Sequence, residues 1–269
     1  MGMKSLTKIH DSANGILRVA GFMSGSGSNL KKILEHQTRL EKTHGESPYR
    51  VVVIFSDCED SCAASIGKAH NIPIIIRSIA EFYKSKKQPR RNLEIRQEYD
   101  MATVQAMLRF EVKCVVYAGY MSIATKPLLD SFLGINVHPA DLSVLNADGS
   151  RKYVGASAVR DAILAGEKSL HSTTHIVEPV VDGGKILMIS PPVDVQIPEN
   201  CDIKKQIKQI VAENQNRLKE QGDWQVFPKT VQYVAEGRFA QDKIGNLYFD
   251  KKPIQCGVRE YHKIGQKYA

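Results

Sequence analysis

A succession of short, near-continuous apolar runs, each followed by a stretch with helical spacing, constrains this chain more than any other feature. Ile16–Phe22, Arg50–Phe55, Ile72–Ile76, Val112–Ala118 and Ile135–Val137 read as strands. Between them, Leu30–Glu35, Ser61–His70 and Leu93–Phe110 carry apolar residues at the intervals of an amphipathic helix. Strands without polar alternation are buried on both faces, and a helical crossover is what a parallel pair of strands needs. The expected class is therefore α/β: a mostly parallel sheet with helices on both faces.

The downstream half is less regular. Ala140–Val154 is polar and turn-rich, with Asn146-Ala147-Asp148-Gly149-Ser150 at its centre, and predicts a surface loop. A helix over Ala156–Ala165, strands over Ser172–Val177 and Lys185–Ile189, and helices over Ile203–Glu220 and Phe227–Glu236 follow. Arg238–Ala240 and Leu247–Phe249, around Gly245-Asn246, suggest a small C-terminal hairpin. Neither a repeat nor a long linker demands a second domain. The expectation is one domain over 17–269 behind an N-terminal extension, 1–16, whose polar start reads as disordered.

Of the 269 residues, 42% are hydrophobic, enough to bury a substantial core. No run of about 18 apolar residues occurs, so a membrane-spanning helix is not expected. With no apolar signal core at the start, a cytoplasmic location is. The five cysteines, Cys58, Cys62, Cys114, Cys201 and Cys256, are odd in number and scattered, which fits reduced thiols. Cys58 and Cys62 fit one helical turn, but two ligands do not make a zinc site. The net charge of +8 suggests an acidic partner. Its densest runs, Lys84–Arg91 and the group Lys204, Lys205 and Lys208, lack the interleaved aromatics that stack bases, so they read as solvated surface and nucleic acid is not expected.

Three segments carry residues suited to chemistry. Asn136 and His138 are two apart in Gly134-Ile135-Asn136-Val137-His138-Pro139, so on a strand they project from one face. An amide and an imidazole side by side can stabilise an oxyanion, and a carboxylate can aim the imidazole and keep it protonated. Asp182, in Glu178–Gly184, is a candidate for that carboxylate. On these residues alone a structural role carries more weight, because Asn at a strand end and Asp before Gly-Gly are turn formers and a His before Pro is often a satisfied loop residue. The third segment, Ser24-Gly25-Ser26-Gly27-Ser28-Asn29, lies between the first strand and a helix, where backbone N–H groups favour a phosphate. It fits neither a dinucleotide fingerprint nor a Walker loop, and a purely structural turn stays open, with Ser28 and Asn29 as helix caps. His138, His171, His175 and Asp182 can in principle make a ligand set, but no metal is required.

The glycine loop, Asn136-Val137-His138-Pro139 and Asp182-Gly183-Gly184, in this order, resemble the folate-dependent formyltransferases, over roughly residues 17 to 240. The resemblance is strongest to members acting on glycinamide ribonucleotide in purine biosynthesis. It implies a Rossmann-like formyltransferase fold and transfer of a formyl group from 10-formyltetrahydrofolate to an amine of that substrate. It implies catalytic roles for Asn136, His138 and Asp182, a phosphate site at Gly27, Ser28 and Asn29, and a ribose contact from Asp223. Arg96, Met121, Ser122, Ile123, Ala124 and Asn136 would contact the folate. Thr173 and His175 fall where the family has a hydroxyl residue and a histidine on the strand before the aspartate.

Partners on this reading are small molecules, with no membrane, and monomer and homodimer stay open. The sequence departs from the family pattern at Ser122 and Ala124, where arginine and leucine are usual, at Asp223, where glutamate is, and by an insertion through Tyr153. The altered stretch after Pro139 keeps a sugar-nucleotide acceptor in view. A formyltetrahydrofolate deformylase and an inactive folate- or nucleotide-binding relative stay open as well.

Overall fold

The computed structural model describes residues 5–199 and 201–259; residues 1–4 of the expected extension lie outside them. The chain opens with β1 (Thr7–Lys8), β2 (Leu17–Met23), α1 (Ser28–His44), β3 (Tyr49–Ser56), α2 (Ala63–His70), β4 (Ile74–Ile76), α3 (Ile79–Ser85) and α4 (Leu93–Met107). Then come β5 (Cys114–Tyr117), α5 (Lys126–Ser131), β6 (Leu133–His138), α6 (Ala158–Leu164), β7 (Ser169–Leu170), β8 (Thr173–Ile176), β9 (Ile186–Ile189) and β10 (Val193–Asp194). The remainder is α7 (Ile203–Leu218), α8 (Trp224–Ala235), β11 (Phe239–Gln241), β12 (Leu247–Phe249), β13 (Lys252–Ile254) and β14 (Val258–Arg259).

The central sheet has eight strands in the order β14-β9-β8-β6-β5-β2-β3-β4. β6, β5, β2, β3 and β4 are mutually parallel, as the apolar runs predict, and β14 is parallel to β9. β8 alone runs against both its neighbours. Alternation along β2 shows why both faces are covered. Leu17, Val19 and Met23 pack with Leu30 and Ile33 of α1 and Phe227 and Val231 of α8, while Ala20 and Phe22 face Tyr99 and Met107 of α4 and Leu128 of α5. Gly21 lies under Leu30, where a Cβ would come within 2.5 Å of Leu30 Cδ1. A third cluster, with Tyr153, Ala158, Leu170 and Ile210, joins α6 and α7 beside the sheet.

Several expectations are corrected here. Part of the extension expected to be disordered is paired: Thr7 and Lys8 lie opposite Gln241 and Ala240. The C-terminal hairpin is real, but it is the middle of a four-stranded antiparallel sheet, β1-β11-β12-β13. The segment 140–154 has no helix, yet Ala140, Leu142 and Tyr153 within it are buried, so it is not simply a surface loop. The last two helices are joined by a π-helical turn, Lys219–Asp223, a wider coil that often marks a functional site. Lys84–Arg91 and Lys204, Lys205 and Lys208 are exposed. Among the described residues, no helix is long and apolar enough to cross a membrane.

Candidate functional site

β2 is followed in the sheet by β3 on one side and, much later in the chain, by β5 on the other. Such a reversal opens a crevice at the carboxyl ends of the strands. The loops after β2 and β5 line it and are tied together: Ser24 N–H donates to the Gly119 carbonyl at 3.1 Å, and Met121 N–H donates to Ser24 Oγ at 2.9 Å. A cavity of about 570 Å³ follows, lined by the Ser24–Asn29 loop, Tyr117–Ala124, Asn136–Pro139, His175 and Asp182, and by Gln215, Lys219 and Asp223. That volume suits a small organic ligand.

At the floor, strand geometry puts the polar residues together. Ile135 and Val137 pack into the core under α1 and α8, which turns Asn136 and His138 to the opposite face. The antiparallel register sets Asn136 against His175 and His138 against Thr173. Asn136 Nδ2 lies 3.2 Å from His175 Nε2. The turn between β8 and β9 then folds back over this pair. Asp182 Oδ2 is 3.3 Å from His138 Nδ1, and Oδ1 is 3.4 Å from His175 Nε2. Asp182 adopts φ 52°, a left-handed conformation uncommon outside glycine. Gly184 is obligatory beside it, because a Cβ there would meet the Ile176 carbonyl oxygen at 1.8 Å.

The electrostatics follow from these contacts. Burial raises the pKa of Asp182, but the His175 hydrogen bond, the His138 charge and the Gly155 N–H at 2.7 Å outweigh it and hold the carboxyl at about 2. Burial pulls the His138 imidazole below its ordinary value, while Asp182 and the Tyr153 carbonyl, 2.9 Å from Nε2, favour the charged ring. Both ring nitrogens thus face acceptors, and only the imidazolium can donate to both. His171 does not join: its Nδ1 faces the Ser190 carbonyl at 2.9 Å. Among the described residues, no group of three or more His, Cys, Asp or Glu is arranged to hold a metal ion.

Elsewhere in the cavity lining, Gly27 is the N-cap of α1 at φ 63°, and no side chain caps the helix. Ser28 and Asn29 are therefore not caps. Ser28 is the first helical residue, and Asn29 donates to Asp223 Oδ2 at 3.1 Å. Ser172 Oγ donates to Asp223 Oδ1 at 2.6 Å, and burial raises the Asp223 carboxyl above its ordinary value against these two hydrogen bonds. The π turn brings Asp223 to the cavity wall with Gln215 and Lys219, at four-residue spacings that the sequence displays and that sequence reasoning passed over.

The residues expected to contact a folate divide. Met121, Ser122, Ile123 and Ala124 line the cavity, with Met121 84% exposed at its mouth, and Ser122 Oγ donates to buried Asp57. Arg96 does not line it. Its guanidinium, 3% exposed, pairs with Asp100 at 3.1 Å and donates to the Tyr120 hydroxyl at 2.8 Å. Asp100 in turn accepts from Thr125 N–H at 2.8 Å, so Arg96 braces the 120–125 segment from beneath. In this conformation the guanidinium is directed to Asp100 and Tyr120, and a buried charge paired in this way is costly to redirect. Tyr153, Gly155 and Arg151 went unnoticed because they act through backbone groups, or on them, from a loop with no pattern of its own.

A family model described as "Formyl transferase" matches residues 17–221. A phosphoribosylglycinamide formyltransferase of Haemophilus influenzae is 28% identical over 241 residues, covering 88% of this chain and 95% of that protein. A chloroplastic phosphoribosylglycinamide formyltransferase of Vigna unguiculata is 29% identical over 172 residues, 63% of this chain and 49% of that one. Among solved structures, glycinamide ribonucleotide transformylase 1 from Symbiobacterium toebii superimposes with a TM-score of 0.63 at 25% identity, covering 87% of this chain and 94% of that chain.

Proposed function

This chain belongs to the formyl transferase family, and we propose that it transfers a formyl group from 10-formyltetrahydrofolate to the amine of glycinamide ribonucleotide. The observation that carries the reading is one cavity lined both by a helix N-terminus without a side-chain cap and by the Asn136, His138, His175 and Asp182 cluster. An anion at Gly27–Asn29 is favoured by the free N–H groups of α1. A phosphate held there leaves the rest of such a substrate in the cavity that His138 also lines. The exposed apolar side chains of Met121, Ile123 and Val181 in the same lining suit the flat ring system of a folate.

In the reaction the amine nitrogen bonds to the formyl carbon, and negative charge gathers on the formyl oxygen. The Asn136 amide is the donor for that oxygen, and His138, when protonated beside Asp182, adds its field. Both His138 nitrogens are engaged in this conformation, so its contribution from here is charge, and direct N–H donation requires the Tyr153 carbonyl to yield. The bond from the formyl carbon to the folate nitrogen then breaks. The proton lost by the amine is the one the folate nitrogen gains, and Asp182, ionised at neutral pH, can hold the water that passes it.

The test is formyl loss from 10-formyltetrahydrofolate, followed with and without glycinamide ribonucleotide. Loss that needs the acceptor supports the reading, loss without it indicates a deformylase, and none in either mixture indicates a binding protein.

A further inference from the structure

We propose that Arg151, delivered by the inserted hairpin after Pro139, is a positioning residue that locks the Asp182 turn against His138, an inference that rests on the formyl transfer reading. The hairpin is well defined. Leu145 and Arg151 bridge, Asn146 N–H donates to the Ser150 carbonyl at 2.8 Å, and Lys152 N–H donates to the Val144 carbonyl at 2.9 Å. Asp148 accepts from Ser150 N–H at 2.9 Å and closes the tip. At its base the Arg151 guanidinium reaches across to the other loop, donating from Nη1 to the Asp182 carbonyl and from Nη2 to the Gly184 carbonyl at 2.7 Å.

Two carbonyls two residues apart are each met by one of the two Nη groups of a single planar guanidinium. They flank the turn in which Asp182 holds its left-handed φ of 52°, a conformation that persists only where the surroundings fix it. The same strand of the hairpin continues at alternate residues: Tyr153 offers its carbonyl to His138, and Gly155 its N–H to the Asp182 carboxylate. One stretch, Arg151 to Gly155, therefore grips the turn, the imidazole and the carboxylate. Arg151 is the member of this set that acts through its side chain, so it is the one a substitution can remove.

The charges around the pair give a reading that bulk stability does not. His138 is faced by Asp182, His175 and Arg151, and Arg151 itself is faced by Asp182, Glu178 and Cys256. The guanidinium opposes protonation of His138 through its own charge but favours it by holding Asp182 beside the ring; Asp182 is the stronger of the two influences, so release of the turn moves the His138 titration downward.

The experiment compares wild type, Arg151→Gln and Arg151→Lys by steady-state transfer kinetics and by nitrogen-15 NMR titration of His138 in the absence of substrate. For Arg151→Gln the expected result is kcat lower by about tenfold or more, as for a catalytic group left loosely aimed. KM should stay within about threefold, and the His138 titration should move down as Asp182 is released. Arg151→Lys keeps the charge but loses the paired Nη donors, so kcat falls and the titration moves down here too. An unmoved or raised titration in Arg151→Gln, or an undiminished kcat in either variant, overturns the proposal; Arg151→Lys carries the test alone if Arg151→Gln does not fold. If wild type transfers nothing to glycinamide ribonucleotide, the functional reading fails, while the NMR titration still decides whether Arg151 acts on the dyad.

Discussion

Asp182 and Asp223 are both buried carboxylates in one cavity, 7% and 8% exposed, and their surroundings push them in opposite directions. Asp182 is held down at about 2, below the value of an unstructured aspartate. Its contribution to stability is therefore present above the unfolded pKa and is lost as pH falls through about 2. A shift of this size corresponds to about 2 to 3 kcal/mol. Asp182→Asn should be less stable than wild type in urea at neutral pH, with the gap closing between about pH 5 and pH 2. Its kcat should fall by about a hundredfold or more, as should that of His138→Ala, with the fold retained; near-normal turnover in either variant removes these residues from the chemistry. Asp223 has the reverse sign. Its raised pKa gives stability that is complete below the unfolded pKa and is lost as pH rises through the folded one. Asp223→Asn, which keeps a polar group for Ser172 and Asn29 without the charge, should thus gain on wild type as pH is raised toward neutrality. If Asp223 also holds the substrate ribose, the same variant raises KM for glycinamide ribonucleotide, so melting curves and KM measured together separate the two roles.

At the scale of elements, the cavity is a meeting of loops whose shapes are set by backbone requirements. Gly27 is the sharpest case. At φ 63° it turns β2 into α1, and a Cβ there would lie 2.6 Å from Ile66 Cδ1 and 2.7 Å from Met23 Cε. Gly27→Ala should cost about 1 to 3 kcal/mol in stability and raise KM for the phosphorylated substrate more than it lowers kcat; an unchanged KM would argue that the loop is only a turn. Elements of this kind differ in how far the sequence exposes them. The parallel strands and α1, α2 and α4 were legible because apolar periodicity reports burial directly. Asn136 and His138 were legible as a pair because a strand has period two, which the register with His175 and Thr173 then uses. The antiparallel β8 was not, since direction leaves no mark on a run such as Thr173-Thr174-His175-Ile176. The orientation of Arg96 was not legible for a related reason: matching a motif fixes its place on α4, while its partner Asp100, one helical turn on, decides where the guanidinium points. The gripping stretch Arg151–Gly155 was hidden because its contacts are made largely with main-chain groups, which carry no residue signature.

At the scale of the whole molecule, both described ends of the chain pair into sheets, and the two ends bear on different properties. At the N-terminal side, β1 pairs with β11 and Ile9 packs partly into the main core, with Ile9 N–H donating to the Phe239 carbonyl at 3.0 Å. This small sheet seals Phe239 and Leu247 under α8, away from the cavity. At the C-terminal side, β14 adds to the edge of the main sheet beside β9, and Arg259 donates to Asp141 at 2.7 Å and to Ser143 at 2.9 Å. Burial raises the Asp141 carboxyl, but the hydrogen bonds from Ser143 and Arg259 bring it below its ordinary value. Asp141 and Ser143 stand between His138-Pro139 and the hairpin that delivers Arg151, so Arg259 anchors the near end of that excursion. Two truncation-scale changes should therefore separate. Removing residues 1–10 deletes the β1 pairing and the Ile9 contact, a loss of about 1 to 3 kcal/mol. For a chain of this size that lowers Tm by several degrees, at about 2 to 4 °C per kcal/mol, with kcat and KM unchanged. Arg259→Ala, which leaves the main cores intact, should lower Tm less and kcat more, because what it frees is the base of the segment that grips His138 and Asp182. Differential scanning calorimetry and steady-state kinetics on the two variants decide the matter: a kinetic defect in the N-terminal deletion, or none in Arg259→Ala, would show that stability and site geometry are not partitioned between the two ends in this way.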